Sequence, residues 1–264
     1  MNNLKAFRNI LKLDLIHGFN FYKKKLILFL VIIIILNIGN IVAVRNYQGN
    51  LIDLFFIMYK DVKFDPTALD IPINWLIINV FVIFILGDFI SENLKRDSNY
   101  ILLRSKKILL YWLSKCTWIV VNVLLIYLVV MGLTYLLGGV SLGFNLESSK
   151  FIKEVLVMEV PHLNILMWLV ITYIFTSLAL VLFQAIISIA LNSRYAFLAT
   201  TIILTMPIWW NNKFLVAIHS MILRHDYFNN EIGLSIAFSL VYTIGISVIL
   251  MGLGYKLVEH KDFI

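Results

Sequence analysis

The run KKKLILFLVIIIILNIGNIVAV, residues 23–44, decides the fold. After its three lysines it continues from Leu26 to Val44 without a charged side chain. The hydrocarbon core of a bilayer is about 30 Å thick, and a helix of about 20 apolar residues crosses it. We therefore predict a transmembrane helix over 26–44 that begins on the cytoplasmic side, where lysines concentrate.

Five more apolar runs follow along the chain. They lie at 73–90, 116–138, 165–191, 196–210 and 233–255. The sequence therefore predicts an all-α, polytopic membrane protein in which six transmembrane helices form a single domain over 1–264.

The composition supports this fold class. Hydrophobic residues make up 61% of the chain and charged residues 14%, against about 25% charged in a soluble domain. The mean hydropathy is +0.91, which excludes a soluble enzyme, a disordered chain and a nucleic-acid-binding domain. The net charge of +7 is interpreted as a topology signal, and no nucleic-acid partner is expected.

The basic residues orient the spans. With both termini inside, fifteen Lys and Arg residues fall in cytoplasmic segments and seven in outer segments. Because cytoplasmic loops are enriched in Lys and Arg, we predict cytoplasmic termini in a cell (cytoplasmic) membrane. In the outer segment 211–232 the apolar stretch from Phe214 to Leu223 is too short to span, and the segment is predicted to be re-entrant.

A basic amphipathic helix precedes the first span. Its apolar residues are spaced mostly four apart, and cations lie between them: Leu4, Phe7, Leu11, Leu15 and Phe19 alternate with Lys5, Arg8 and Lys12. Such a helix lies in the membrane surface, so residues 1–25 are predicted to be interfacial. Whether this helix only anchors the chain or also docks a partner stays open.

Enzyme and metal signatures are absent. The sequence contains no HExxH, GxxxxGK[ST] or GxGxxG, so we expect no catalytic residue, no metal site and no cofactor on this chain. His219, His225 and Asp226 are close in sequence, but we interpret them as solvated outer-loop residues. Asp88 alone is ionisable within the spans, near an inner end, and is interpreted as an interfacial carboxylate beside Lys95 and Arg96. An ion-coupled carrier is therefore disfavoured.

Uncharged polar residues do occur within the spans. They more often join neighbouring helices by hydrogen bonds than line a pathway. The minority, pathway interpretation is assigned to Asn40, Asn79, Phe197, Thr201 and Thr205. Residues 197, 201 and 205 are four apart and share one helix face.

The inner loop 88–115 carries the strongest local pattern. An acidic turn, Asp88-Phe89-Ile90-Ser91-Glu92, is followed by Ile101-Leu102-Leu103-Arg104-Ser105 and then by Lys115, which opens the next span. This pattern resembles the inner loop of ABC-2-type exporter permeases, in particular the small permeases of Gram-positive peptide exporters of the lantibiotic and phenol-soluble-modulin type. The amphipathic amino-terminal helix, the six spans and the outer partial helix are similar to that family too.

The resemblance implies a permease subunit of an ATP-binding-cassette exporter. Its coupling helix, within 91–115, would dock on a separate ATPase subunit that binds ATP and Mg. The coupling residues would be Glu92, Lys95, Arg96, Asp97, Ile101, Leu102 and Arg104. A second permease copy, identical or closely homologous, would pair along the first and fifth spans. The cargo would be an amphipathic or hydrophobic substrate, a peptide above all, moved out of the cell. The alternatives are a membrane immunity or interaction protein without transport, and an ion-coupled carrier.

Overall fold

The computed structural model describes residues 3–65, 70–94, 108–146, 163–228 and 233–260. Within these ranges every regular element is helical. The α-helices are α1 (Asn3–Asn46), α2 (Leu51–Tyr59), α3 (Ile73–Leu86), α4 (Ile108–Leu142), α5 (Leu163–Ala190), α6 (Ser193–Trp209) and α7 (Ile236–His260). Helical residues resume after α3 at 89–94, and two short 3-10 helices occupy Val216–Ser220 and Ile222–Arg224.

Five helical segments of the described chain are long and apolar enough to cross a membrane. They are α1, α3 with its continuation to Leu94, α4, α5 and α7. The predicted all-α membrane protein is thereby confirmed. The predicted fifth span is α6, whose 17 residues extend about 26 Å at 1.5 Å per residue. This length is just under the thickness of a bilayer core, so the sixth crossing stays a prediction.

The first helix is one continuous element of 44 residues, about 66 Å long. The structure does not divide it into an interfacial helix over 1–25 and a span over 26–44. Residues 19–38 contain neither glycine nor proline, and lysine is a good helix former, so nothing in Lys23-Lys24-Lys25 ends the helix.

α1 and α4 run parallel in a fixed register. Their contacts pair residues about 100 positions apart: Ser114 donates to Asp14 at 2.6 Å, and the Tyr22 hydroxyl donates to Asn122 Oδ1 at 2.5 Å. Between these pairs Gly18 lies against Trp118, and a Cβ atom there would overlap the indole ring. The buried residues of this half of α1 are four apart for this reason: Ala6, Ile10, Asp14, Gly18 and Tyr22.

α5 is the central helix of the bundle. In its most apolar stretch 67% of the residues are buried, against 28% in α1 and 22% in α7. α5 also carries a run of buried polar side chains, Thr172, Thr176, Ser177 and Gln184. The apolar faces that α1 and α7 expose are suited to lipid.

Two elements begin at asparagine caps. The Asn50 side chain accepts the backbone N–H groups of Ile52 and Asp53, which starts α2. Asn192 accepts the N–H of Tyr195 and starts α6 directly after α5. Each cap satisfies N–H groups that a helix start leaves unpaired.

Candidate functional site

The two ends of the predicted coupling segment are tied together. The Tyr111 hydroxyl at the start of α4 donates to Asn93 Oδ1 at 3.1 Å. Asn93 and Leu94 are buried, whereas Glu92 is exposed. Residues 95–107 between these ends lie outside the described ranges. Of the seven predicted coupling residues the structure therefore places Glu92, while Lys95, Arg96, Asp97, Ile101, Leu102 and Arg104 fall outside it.

A buried ion pair holds this region to α1. Lys115 Nζ binds Asp14 Oδ1, and Ser114 donates to the other carboxylate oxygen. The exposed fractions of the two charged side chains are 0% and 2%. The ammonium group also lies 4.6 Å from the centroid of the Tyr111 ring. We call α1 residues 3–25, residues 89–94 and α4 residues 108–122 together the base.

This pair was not predicted from the sequence. Lys115 was predicted to open a span from a cytoplasmic segment, and its complete burial was not predicted. Asp14 was not singled out at all. The spacing of Asp14 could have indicated that it is buried. It lies on the same helix face as the residues that pack on α4, which are four apart: Ala6, Ile10, Gly18 and Tyr22.

A second ion pair lies where α3 ends. Lys25 Nζ is 3.1 Å from Asp88 Oδ2 and donates to the Phe84 carbonyl oxygen at 3.0 Å. The cation therefore binds both a carboxylate and a helix carbonyl, as cations near helix carboxyl termini do. The described partner of Asp88 is Lys25; the expected partners Lys95 and Arg96 lie outside the described ranges.

The α3 break itself is tightly packed. Gly87 lies against the side chain of Gln184, and a Cβ atom on residue 87 would overlap that amide. Both polar atoms of the Gln184 amide are buried, and neither has a hydrogen-bond partner among the described residues. Residues 87 and 88 form a turn between α3 and the helical residues 89–94.

A small pocket opens at the base. It has a volume of about 80 Å³ and is lined by His17, Phe21, Phe89, Glu92 and Asn93. α1 and the residues that lead into the predicted coupling segment share its walls. The pocket thus lies between the two elements for which docking was considered.

The predicted pathway residues do not form one cluster within the chain. Asn40 of α1 donates to Met58 Sδ at 3.1 Å. Phe197 contacts Phe84 edge to face at 5.9 Å between ring centroids. Thr201 and Thr205 donate to backbone carbonyls of α6 itself. The half-buried face that Phe197, Thr201 and Thr205 share is the face predicted to meet a second copy, and that pairing stays a prediction.

Asn79 belongs to a separate buried network. It donates to the Tyr173 hydroxyl at 2.9 Å and accepts from Ser177 at 3.0 Å. Ser177 in turn shares a hydrogen bond of 2.6 Å with Tyr127. The network joins α3, α4 and α5 through neutral groups, as expected for polar side chains between helices in a membrane. Tyr127 and Tyr173 were missed, since tyrosines in an apolar run also suit simple packing.

The predicted outer end contains another buried ion pair. Asp61 accepts from the Leu223 N–H at 2.7 Å and from Arg224 Nε at 3.3 Å. Burial raises the pKa of Asp61 to about 6, although the Leu223 N–H and Arg224 oppose the shift. Arg224 also donates to Asn211 at 3.1 Å. These bonds hold the 3-10 segments in place after α6.

The outer histidines are buried rather than solvated. His219 bonds with the Ser239 hydroxyl at 2.9 Å, and His225 Nε2 lies 3.2 Å from the His219 carbonyl oxygen. Burial and the neighbouring His225 lower the pKa of His219 to about 3, and burial also lowers the pKa of His225. The solvated-loop interpretation is wrong for these two residues, because the segment packs among α5, α6 and α7. In the described ranges no group of three metal-ligating side chains converges.

Comparison with known proteins places the chain in one family. No curated protein and no solved structure matches it. A family profile described as "Protein of unknown function (DUF2705)" matches residues 30–264, from the first span to the carboxyl end. The resemblance to ABC-2-type permeases therefore stays a prediction, and by the extent of this match the chain belongs to the DUF2705 family.

Proposed function

We propose that this protein is the permease subunit of an ATP-driven exporter, and that a separate ATPase docks on the coupling segment within 91–115. The observation that carries the proposal is the base. It clamps both ends of that segment through Tyr111 and Asn93, and it fixes α4 to α1 through the buried Asp14–Lys115 pair.

Such a base suits the transmission of force. A docked partner that moves the segment would pull on Asn93 and Tyr111, which lead into α3 and α4. Lys115 lies one helical turn beyond Tyr111 and engages α1. Movement at the segment therefore reaches three long helices through side chains that are packed and buried.

The helices carry no group that would couple transport to an ion gradient. Residues 26–44, 73–86, 116–142, 164–190 and 236–255 contain no Asp, Glu, Lys, Arg or His. Ion-coupled carriers place such groups at depth in the membrane. The charged pairs of the described spans, Asp14–Lys115 and Lys25–Asp88, lie toward the predicted cytoplasmic ends instead. Energy then comes from another chain, which would bind ATP and Mg.

The proposed cargo is an amphipathic or hydrophobic molecule, a peptide above all, exported from the cell. Two permease copies would meet along α1 and α6 to enclose its path. The half-buried face of α6 with Phe197, Thr201 and Thr205 is neutral and carries both an aromatic ring and hydroxyl groups. The charged residue of α6, Arg194, lies in its first turn, so a small hydrated cation would find no carboxylate ligand on that face.

The test is co-purification of the tagged, full-length chain from membranes of its native host. A photoreactive azido-ATP probe is used to label any nucleotide-binding chain in the complex, and ATP hydrolysis by the complex is measured. The test variant is Glu92→Ala with Arg104→Ala. We expect the wild type to retain a labelled ATPase and the variant to lose it by about tenfold or more, since opposite charges fix the register of an interface.

The control is a charge-matched pair on the predicted outer surface, Lys63→Ala with Asp70→Ala. Both variants are expected to keep wild-type thermal stability, because exposed charges contribute little to it. The proposal is overturned if no nucleotide-binding chain accompanies the wild type. Equal retention by both variants would remove the docking assignment to this segment.

A further inference from the structure

The exposed charge of the amino-terminal half of α1 has one sign. Residues 3–25 contain a single carboxylate, Asp14, and the fold turns it inward onto Lys115. Lys25 is occupied by Asp88. Five cations of this stretch remain exposed: Lys5, Arg8, Lys12, Lys23 and Lys24. The fold thus removes the negative charge from this surface and leaves the positive charge.

Large apolar side chains are exposed among these cations. Leu4 is 77% exposed and Ile16 49%, and in the parallel helix α4 Leu109 is 50% exposed. Leu13, Phe19 and Leu113 are exposed in the same stretch of the two helices. This mixture of apolar and basic side chains is costly in water, but it fits the zone between lipid headgroups and acyl chains.

The lengths of the two helices place this surface near the lipid. α1 has 44 residues and α4 has 35, which correspond to about 66 and 52 Å. Both exceed the bilayer core of about 30 Å. The amino-terminal parts of both helices therefore extend beyond the bilayer core, toward the headgroups on the predicted cytoplasmic side.

We propose that the base binds anionic phospholipid through this surface, with Lys5, Arg8 and Lys12 on the headgroup phosphates. The alternative occupant of the same surface is a protein partner. The mixed signs of Glu92, Lys95, Arg96 and Asp97 suit a protein groove, whereas a uniformly basic and apolar surface suits an acidic membrane. Exposed Glu92 marks the boundary between the two. The proposal does not depend on transport.

The test uses the full-length chain in lipid nanodiscs. A spin label replaces Ile16, and its collision rates with oxygen in the lipid and with a water-soluble nickel chelate are compared. Discs contain phosphatidylcholine alone or increasing fractions of phosphatidylglycerol. We expect the ratio of oxygen to nickel collisions to rise with the phosphatidylglycerol fraction and to fall back in high salt, which screens charge.

The test variant is Lys5→Gln, Arg8→Gln and Lys12→Gln in the labelled chain. Lys23, Lys24 and Lys25 remain, so the orientation of the first span is retained. A charge-matched control changes Arg45, Lys63 and Lys213 to Gln at the predicted outer end. Each cation near an acidic surface strengthens binding about fivefold, so the test variant should bind phosphatidylglycerol roughly 100-fold more weakly. The control should respond like the wild type.

Each other outcome overturns the proposal. A label that stays water-accessible in every lipid would show a surface open to water or to a protein partner. A label immersed equally in phosphatidylcholine and phosphatidylglycerol would show apolar anchoring without recognition of charge. Equal responses of the test and control variants would assign the lipid effect elsewhere. Thermal unfolding of both variants in detergent verifies that each is folded.

Discussion

Breaking the buried Asp14–Lys115 pair should destabilise the protein strongly. In Lys115→Met the Asp14 carboxylate keeps Ser114 but loses its buried cation, and both original side chains are almost completely inaccessible. Removing one member of a buried pair costs about 3–5 kcal/mol, because an uncompensated charge remains. We therefore expect this loss of unfolding free energy in Lys115→Met, and a similar loss in Lys115→Ala with an added cavity.

The double variant Asp14→Leu with Lys115→Met gives the sharper result. It removes both charges and fills the site with apolar groups, so its stability should return to within about 1–2 kcal/mol of the wild type or exceed it. The assay is equilibrium unfolding in mixed dodecyl maltoside and dodecyl sulfate micelles, analysed as a double-mutant cycle. Lys12→Met, at an exposed position of α1, is the matched control. A loss below about 1 kcal/mol in Lys115→Met, or additive losses in the double variant, would refute the reasoning.

Two further predictions concern buried contacts, and a third concerns the topology. Gly87→Ala should lower the free energy of unfolding by about 1–3 kcal/mol, because a Cβ atom on residue 87 overlaps the Gln184 side chain. Adding Gln184→Ala to this variant should restore part of the loss, as measured by thermal unfolding. Gly252→Ala is the neutral control, since a Cβ atom there meets open space. Burial raises the pKa of Asp61 from 3.8 to about 6, so the contribution of this group to the free energy of unfolding is full below pH 3.8 and is lost as the pH rises through about 6. In Asp61→Asn the free energy of unfolding should no longer fall over this pH range. An equal slope of unfolding free energy against pH in the wild type and the variant, between pH 4 and 7, would contradict the prediction. A cysteine in place of exposed Lys63 should react with an impermeant maleimide from outside the cell, and labelling from the cytoplasmic side alone would reverse the topology.

The apolar runs were sufficient to predict the helices. Each predicted span coincides largely with an observed helix or with part of one, because about 20 consecutive apolar residues allow few alternatives to a helix in lipid. The ends of the helices were harder to place. α1 extends through Lys23-Lys24-Lys25 since lysine does not interrupt a helix, and only three-dimensional packing against α4 shows that residues 6–22 form a contact face.

The candidate site was predictable only in part. Glu92 and its neighbours could be selected from the mixed charges of the loop, a local property of the sequence. Asp14 and Lys115 could not be paired, because 101 positions separate them and several other charges were available. His219 and His225 were misplaced for a related reason: they lie in a segment whose apolar stretch is too short to span a membrane, and its packing among three helices is not visible in the sequence.

The parallel register of α1 and α4 also has a consequence for biosynthesis. Asp14 emerges from the ribosome about 100 residues before Lys115, a delay of about 5–20 s at 5–20 residues per second. Throughout that interval the carboxylate lies on a helix whose packing face is still uncovered. α1 must therefore leave the insertion machinery with this side chain hydrated, and it locks into place only when α4 arrives. A chain truncated before residue 115 would keep the acid without Lys115 and the face without α4, and an unpaired carboxylate is costly at a membrane.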